Sequence, residues 1–199
     1  MLGRSLSDLA AVSKAKGARG AGDDEQPLLE AKELGRAAWS EPYFDEGGGN
    51  IVMATFSAPF YRNAGGDRRF GGVVTADISL LWLMDSMSSV RVGETGYAFL
   101  ISRNGVCVTH PKAEWILRES IFSLAEGYGN PELRRIGRAM IKGGRGFEPI
   151  EDPYTAKPSR LSYAAVPSTG WSLGVVIPVD ELLADVHKLH QEMVAIAVS

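Results

Sequence analysis

The 199-residue sequence predicts an α+β fold: an antiparallel sheet flanked by helices, with a shorter run of strands ahead of it. Three observations carry this. Tyr97-Ala98-Phe99-Leu100-Ile101, the turn pair Asn104-Gly105 and the return Val106-Cys107-Val108-Thr109 spell a hairpin. Helical patterns follow over 113–124 and from Asn130. Two more apolar runs, Arg160 to Val166 and Trp171 to Ile177, are divided by the turn residues Pro167-Ser168-Thr169-Gly170. Hairpin, helices and strands in that order suit one antiparallel sheet with its helices on one face.

Taken from the N-terminus, residues 5–13 are expected as a short helix and 14–26, rich in Gly, Ala and charge, as disordered. A weak helix over 27–37 stops at Gly35. Asn50 to Phe56 reads as a strand limited by Pro59, and Phe70 to Ile78 as a second, with turn chemistry at Asn63-Ala64-Gly65-Gly66-Asp67 between them. Two strands alone are not stable, so this piece needs a packing partner. Ser79 is placed to cap a helix from Leu80 to about Val90, ended by Gly93. His110-Pro111 stops the hairpin, and 113–124 is expected to turn Trp115, Ile116 and Ile121 inward. Asn130-Pro131-Glu132 is a helix start with a capping Asn, Pro in the first turn and an acid beside it, and Gly143-Gly144 ends that helix. Residues 146–150 are a short strand. From Val179 an amphipathic helix carries Leu182, Leu183, Val186, Leu189 and Met193 at helical spacing. It then turns apolar over Met193 to Val198, as a helix end or as the first turns of a membrane helix.

Composition narrows the function classes. A net charge of −3 gives no electrostatic reason to expect nucleic acid, and Arg134, Arg135 and Arg138 read as a solvated helix face. One cysteine excludes an internal disulfide and a cysteine-built zinc site, and Cys107 reads as a small buried hydrophobe. The N-terminal segment lacks the apolar core of a signal peptide. No nucleophile elbow, paired-acid motif or metal cluster is present, so no enzyme activity and no cofactor are expected. Gly143-Gly144-Arg145-Gly146 lacks the Lys-Ser/Thr of a phosphate loop and reads as a turn.

The runs Trp39 to Asp45, Thr55 to Pro59 and Gly72 to Leu80 resemble the end of the membrane-distal half of a double Cache (dCache) domain. Gly93 to Gly105, Thr109-His110-Pro111 and Thr169 to Pro178 resemble its membrane-proximal half. Together they span roughly residues 38 to 190. The resemblance implies a PAS-like sheet in each half, partial in the first and complete in the second. It implies the extracytoplasmic face of a bacterial inner membrane, a homodimer, membrane anchors in the full-length receptor, and a small organic ligand such as a carboxylate, amino acid or amine. The implied outputs are those of chemoreceptors, histidine kinases and sigma-regulator serine phosphatases. The division expected is 1–26 weakly ordered, 27–80 a partial distal subdomain, 81–92 a connecting helix, 93–178 the proximal PAS-like subdomain, and 179–199 a signalling helix. The segment ahead of Trp39 is short, so the distal half is expected to be truncated, and the Tyr and Arg-Trp-Tyr elements of amino-acid-binding members are missing from it.

Seven residues are candidate ligand contacts. Asp77 matches the family aspartate that pairs a ligand ammonium; its competing role is to cap the helix after it. Trp39 and Tyr43 offer an aromatic wall with polar tips, or plain core. Asp45 is a contact or a turn residue. Tyr97, His110 and Tyr163 would line a face or rim of the second sheet, His110 as a carboxylate donor, a pH switch or a loop-end histidine bonded to backbone. His187 and His190 could make half a metal site or a solvated face. The expected function is a small-molecule sensor that signals through the C-terminal helix; the alternative is a dimerising Cache-like scaffold that binds no small ligand.

Overall fold

The computed structural model describes residues 31–46 and 49–182. The expected helix at 5–13, most of the signalling helix, and His187 and His190 lie outside the described residues. The chain divides into two compact units, one ending at Leu80 and one beginning at Leu81.

In the first unit a helical turn at 31–34 ends at Gly35, whose φ of +62° is the left-handed geometry a helix stop uses. Four strands follow: β1 (Ala38–Trp39), β2 (Tyr43–Asp45), β3 (Ile51–Ala64) and β4 (Asp67–Ser79). β1 and β2 pair with successive stretches of one side of β3, and β4 pairs with the other, all antiparallel. The Gly65–Gly66 turn joins β3 to β4, both glycines at positive φ. Pro59 does not limit the strand, as the sequence suggested; β3 continues five residues past it to Ala64. Beyond Ser57 the far side of β3 has no strand partner among the described residues, so the missing proline N–H costs no ladder bond. The register slips between Phe60 and Tyr61, where the Phe60 ring lies across Gly71 and Gly72. A Cβ on Gly71 would sit 2.7 Å from that ring. The strand also runs through Ser79, so the next helix starts later than expected.

The second unit opens with α1 (Leu81–Ser88). Its sheet runs β6 (Cys107–Thr109), β5 (Tyr97–Ile101), β9 (Trp171–Pro178), β8 (Pro158–Val166), β7 (Gly146–Glu151), antiparallel throughout. α2 (Ile121–Gly127) and α3 (Pro131–Ile141) pack on it. The expected α+β architecture, an antiparallel sheet flanked by helices, is what forms. The core joins Phe99, Ile101, Leu161 and Val176 of the sheet to Ile121, Leu133, Ile136 and Met140 of the helices. α3 begins as the sequence indicated, with Asn130 Oδ1 accepting the Leu133 N–H at 2.9 Å.

Two local expectations are corrected. The Asn104-Gly105 turn is not the two-residue kind: Gly105 N–H donates to Ser102 O at 3.0 Å and Ser102 N–H to Val106 O at 2.9 Å, a turn followed by a left-handed glycine. Residues 113–124 are not one helix. A single 3-10 turn (Ala113–Trp115) is followed by Leu117 at φ +60°, and α2 starts afresh at the Ser120 cap. The reason is the free edge of β6. Leu117 N–H donates to Cys107 O and Cys107 N–H to Glu119 O, both at 2.9 Å, and Ile121 N–H to Gly105 O at 2.8 Å. A buried edge strand must satisfy these groups, and the passing chain does so at the cost of its own helix.

The Phe99 ring lies against Gly174, its cross-strand partner, with no room for a Cβ. Gly174→Ala is therefore expected to destabilise the second unit by about 1–3 kcal/mol, read as a lower urea midpoint with an unchanged m-value.

Candidate functional site

In the first unit the odd-numbered residues of β3 as far as Pro59 meet the odd-numbered residues of β2 and β4 on one face, because Tyr43 is in register with Met53 and Thr55 with Asp77. Thr55 is buried between two polar neighbours. Its Oγ1 donates to Asp77 Oδ1 at 2.8 Å and lies 3.0 Å from the Tyr43 hydroxyl. A threonine hydroxyl has one proton, and a carboxylate only accepts, so Tyr43 must donate to Thr55. The result is a directed row, Tyr43 to Thr55 to Asp77, that ends on an exposed carboxylate. The Thr55 backbone is held by Ser40, whose Oγ accepts the Thr55 N–H at 2.9 Å and whose N–H donates to Thr55 O at 2.8 Å. One step along the same face the Ser57 hydroxyl is buried without a hydrogen-bond partner among the described residues.

Two other candidates of this unit fall elsewhere. Trp39 is in register with Phe56, on the opposite face from Thr55, with the rings 5.2 Å apart. It does not share a wall with Tyr43. Asp45 ends β2, and its carbonyl accepts the Asn50 N–H at 2.9 Å across the turn. Asp77 lies mid-ladder, and α1 begins four residues later.

The second unit holds a different arrangement. Between sheet and helices lies a cavity of ≈ 30 Å³, room for about one water and too small for an organic ligand. Aromatic rings fill the rest: His110 stands 4.6 Å from Trp115, 5.2 Å from Tyr97 and 5.4 Å from Tyr154, centre to centre. Beside them Asp152, with no exposed surface, accepts the Tyr97 hydroxyl at 2.7 Å, the Tyr154 and Thr155 N–H groups at 3.2 and 3.1 Å, and the Thr155 hydroxyl at 2.6 Å. Burial, then the Asp152 carboxylate, push the Tyr97 phenol well above its ordinary range. Burial likewise pushes the Cys107 thiol up to about 12, as suits an inert core thiol. His110 Nδ1 accepts the Lys112 N–H at 3.0 Å, which places the ring proton on Nε2. Burial lowers His110 to about 4, against a smaller opposing pull from Asp152. Tyr163 is core, packed over Gly146, where a Cβ would meet its ring at 2.7 Å.

An open cleft of ≈ 540 Å³ runs beside α1, with Met84, Met87, Arg91, Glu94, His110 and Tyr154 among its walls. The structure thus brings Tyr43 and Asp77 together through Thr55, and Tyr97 and His110 together beside Asp152. Thr55, Ser57 and Asp152 were not singled out from the sequence. For Asp152 the signal was an Asp-Pro pair after a strand; for the two hydroxyls there was none without the register. Among the described residues no group of three His, Cys, Asp or Glu side chains could hold a metal, and no helix is long and apolar enough to cross a membrane.

A sequence profile of the Cache domain matches residues 4–186. The methyl-accepting chemotaxis protein PctB of Pseudomonas aeruginosa is 27% identical over 170 residues, which are 84% of this chain and 24% of that protein. Among solved structures, the extracellular domain of mmHK1S-Z3, described as a histidine kinase, is similar with a TM-score of 0.70 and 30% identity, over 82% of this chain and 56% of that one. The ligand-binding domain of PctB with L-Gln shares the fold at a TM-score of 0.59 and 22% identity, over 93% of this chain and 70% of that one. That of Mlp24 with asparagine does so at 0.60 and 23%, over 86% and 64%. The chain spans a quarter or less of the length of the curated relatives it matches, 10% and 24% for the first two.

The low-lying His110 has a consequence for stability. Between its ordinary 6.5 and about 4 the unfolded chain takes up a proton that the folded chain refuses. Stability should therefore fall as pH drops through that window, by at most about 3 kcal/mol from this group. His110→Gln is expected to flatten that part of the profile in urea unfolding from pH 7 to 4; an unchanged difference between the two proteins at both ends would contradict the burial of a neutral imidazole.

Proposed function

The chain belongs to the Cache domain family, and on that premise we propose that it is the extracytoplasmic sensing part of a bacterial signal-transduction receptor that takes a small organic amine at Asp77. Members of the family are ligand-binding, non-catalytic modules, and this chain is a Cache sensor domain similar to the ligand-binding domains of chemoreceptors. The observation that carries the finer reading is the directed row from Tyr43 through Thr55 to Asp77. It leaves the second oxygen of an exposed carboxylate without a partner among the described residues, on a face that also holds the orphan Ser57 hydroxyl. An ammonium group supplies both what a carboxylate attracts and donors in more than one direction. The ligands named for two fold neighbours, L-Gln and asparagine, both carry such a group. In the second unit the aromatic interior is already packed, which favours the first unit as the place of binding.

In this reading the receptor is a membrane-anchored homodimer. Binding favours one of two arrangements, and the C-terminal helix that follows β9 passes the preference on.

The test is a thermal-shift and calorimetric screen with L-glutamine, L-asparagine, putrescine and acetate. Stabilisation by ammonium-bearing compounds alone is expected, with affinity at least tenfold weaker in Asp77→Asn and reduced in Thr55→Val. A hit that survives Asp77→Asn but is lost in His110→Ala would move the site to the cleft beside α1. No hit, with a melting point that rises with protein concentration, would favour the dimerising scaffold that binds no small ligand.

A further inference from the structure

The described part of the C-terminal helix, residues 179–182, follows directly from β9. Glu181 in this first turn reaches back to the loop that leads into β5. Its Oε2 accepts the Glu94 N–H and its Oε1 the Thr95 N–H, both at 2.8 Å, and Oε1 also accepts the Thr95 hydroxyl. Three donors from two adjacent residues thus converge on one carboxylate, the concave N–H arrangement that proteins use for anions. The loop is shaped for it. Gly93 has φ +64°, and a Cβ there would run into Glu181 Oε2. Val92 and Gly96 bridge across the loop base, and Gly96 lies against the carbonyls of Val92 and Val176 with no room for a side chain. On the other side of the turn Asp180 pairs with Lys157 at 3.3 Å, a contact to the β7–β8 loop.

We propose that Glu181 and the Gly93–Thr95 loop form a latch that fixes the start of the output helix to the head of β5. This deepens the sensor reading, because it rests on that helix being the output. In chain order β4, which carries Asp77, is followed by α1 and then by this loop. Among the described residues the other side-chain polar tie from this turn to the sheet's loops is the exposed Asp180–Lys157 pair. The latch is set to stay closed near neutral pH. The Thr95 hydroxyl, then the backbone N–H groups, hold the Glu181 carboxyl below its ordinary range against Asp180 beside it. Among the described residues the other charged groups nearby are the Glu94 side chain and Lys157.

Two reciprocal variants of the full chain test this by NMR; Gly93 is exposed and Glu181 half-buried. In Glu181→Ala the amides of Glu94 and Thr95 are expected to exchange with solvent at least tenfold faster, with those of Leu100 and Leu161 unchanged. In Gly93→Ala, which alters only the loop, the ¹⁵N order parameters of residues 179–182 are expected to fall toward the flexible range. Thr95→Val, which keeps the N–H but loses the hydroxyl, should lie between wild type and Glu181→Ala. Unchanged exchange at Glu94 and Thr95 in Glu181→Ala, or unchanged order at 179–182 in Gly93→Ala with the sheet intact, would overturn the latch. Neither readout needs a ligand, so a failed amine screen and a failed latch are separate results.

Discussion

The register of β5 against β9 is the constraint on which the rest of the second unit depends. β5 is buried along its whole length and pairs with β6 on one side and β9 on the other. Tyr97 opposite Val176 and Ile101 opposite Ser172 set the alignment. Because the pair is antiparallel, the chain arrives at β5 where it leaves β9. The Gly93–Thr95 loop and the first turn of the C-terminal helix are neighbours for that reason alone, and Glu181 only has to reach across. The same register points Tyr97 at Asp152 and lays Phe99 over Gly174. A slip of one residue would turn all of these side chains to the wrong face.

Two aspartates differ sharply in how far their hydrogen-bonding capacity is met. Asp152 has no exposed surface and four donors, three from its own loop and one from Tyr97. A buried carboxylate needs that many partners to offset its desolvation, and once it has them nothing is left to offer a ligand. It ties the β7–β8 loop to the centre of the sheet and helps close the aromatic interior. Asp77 is the reverse: exposed, with one donor among the described residues, and aimed by a row of hydroxyls that starts at Tyr43. The contrast in satisfaction is what supports the proposal of a ligand at Asp77, while Asp152 serves the packing of the second unit.

Elements governed by neighbouring residues were legible in the sequence. The β5–β6 hairpin, the Asn130 cap of α3, the Gly35 stop and the β8–β9 pair each carry a local signal, and each forms. What failed depended on partners far along the chain. Pro59 fits inside a strand because the side of β3 it faces carries no pairing strand among the described residues. Residues 113–124 abandon a plausible helical stripe because β6 needs its edge bonds made. The site was half legible. Asp77 and Tyr43 stand out as residue types, but Thr55, which joins them, is an ordinary strand threonine until the β3–β4 register puts it opposite Asp77. Trp39 and Tyr43, four apart, look like one wall, yet the chain leaves strand geometry over residues 40–42 between them and they end on opposite faces. Glu181 gives no signal at all, since its partners are two backbone N–H groups and a threonine hydroxyl 86 and 87 residues away.

The most direct measurement is the pattern of through-space proton contacts between β5 and β9 in the isotope-labelled chain. Cross-strand contacts linking Tyr97 to Val176, Phe99 to Gly174 and Ile101 to Ser172 are the expected result. Contacts displaced by one residue, or a β5 paired elsewhere, would contradict the account, because the head of β5 and the start of the helix would then no longer meet.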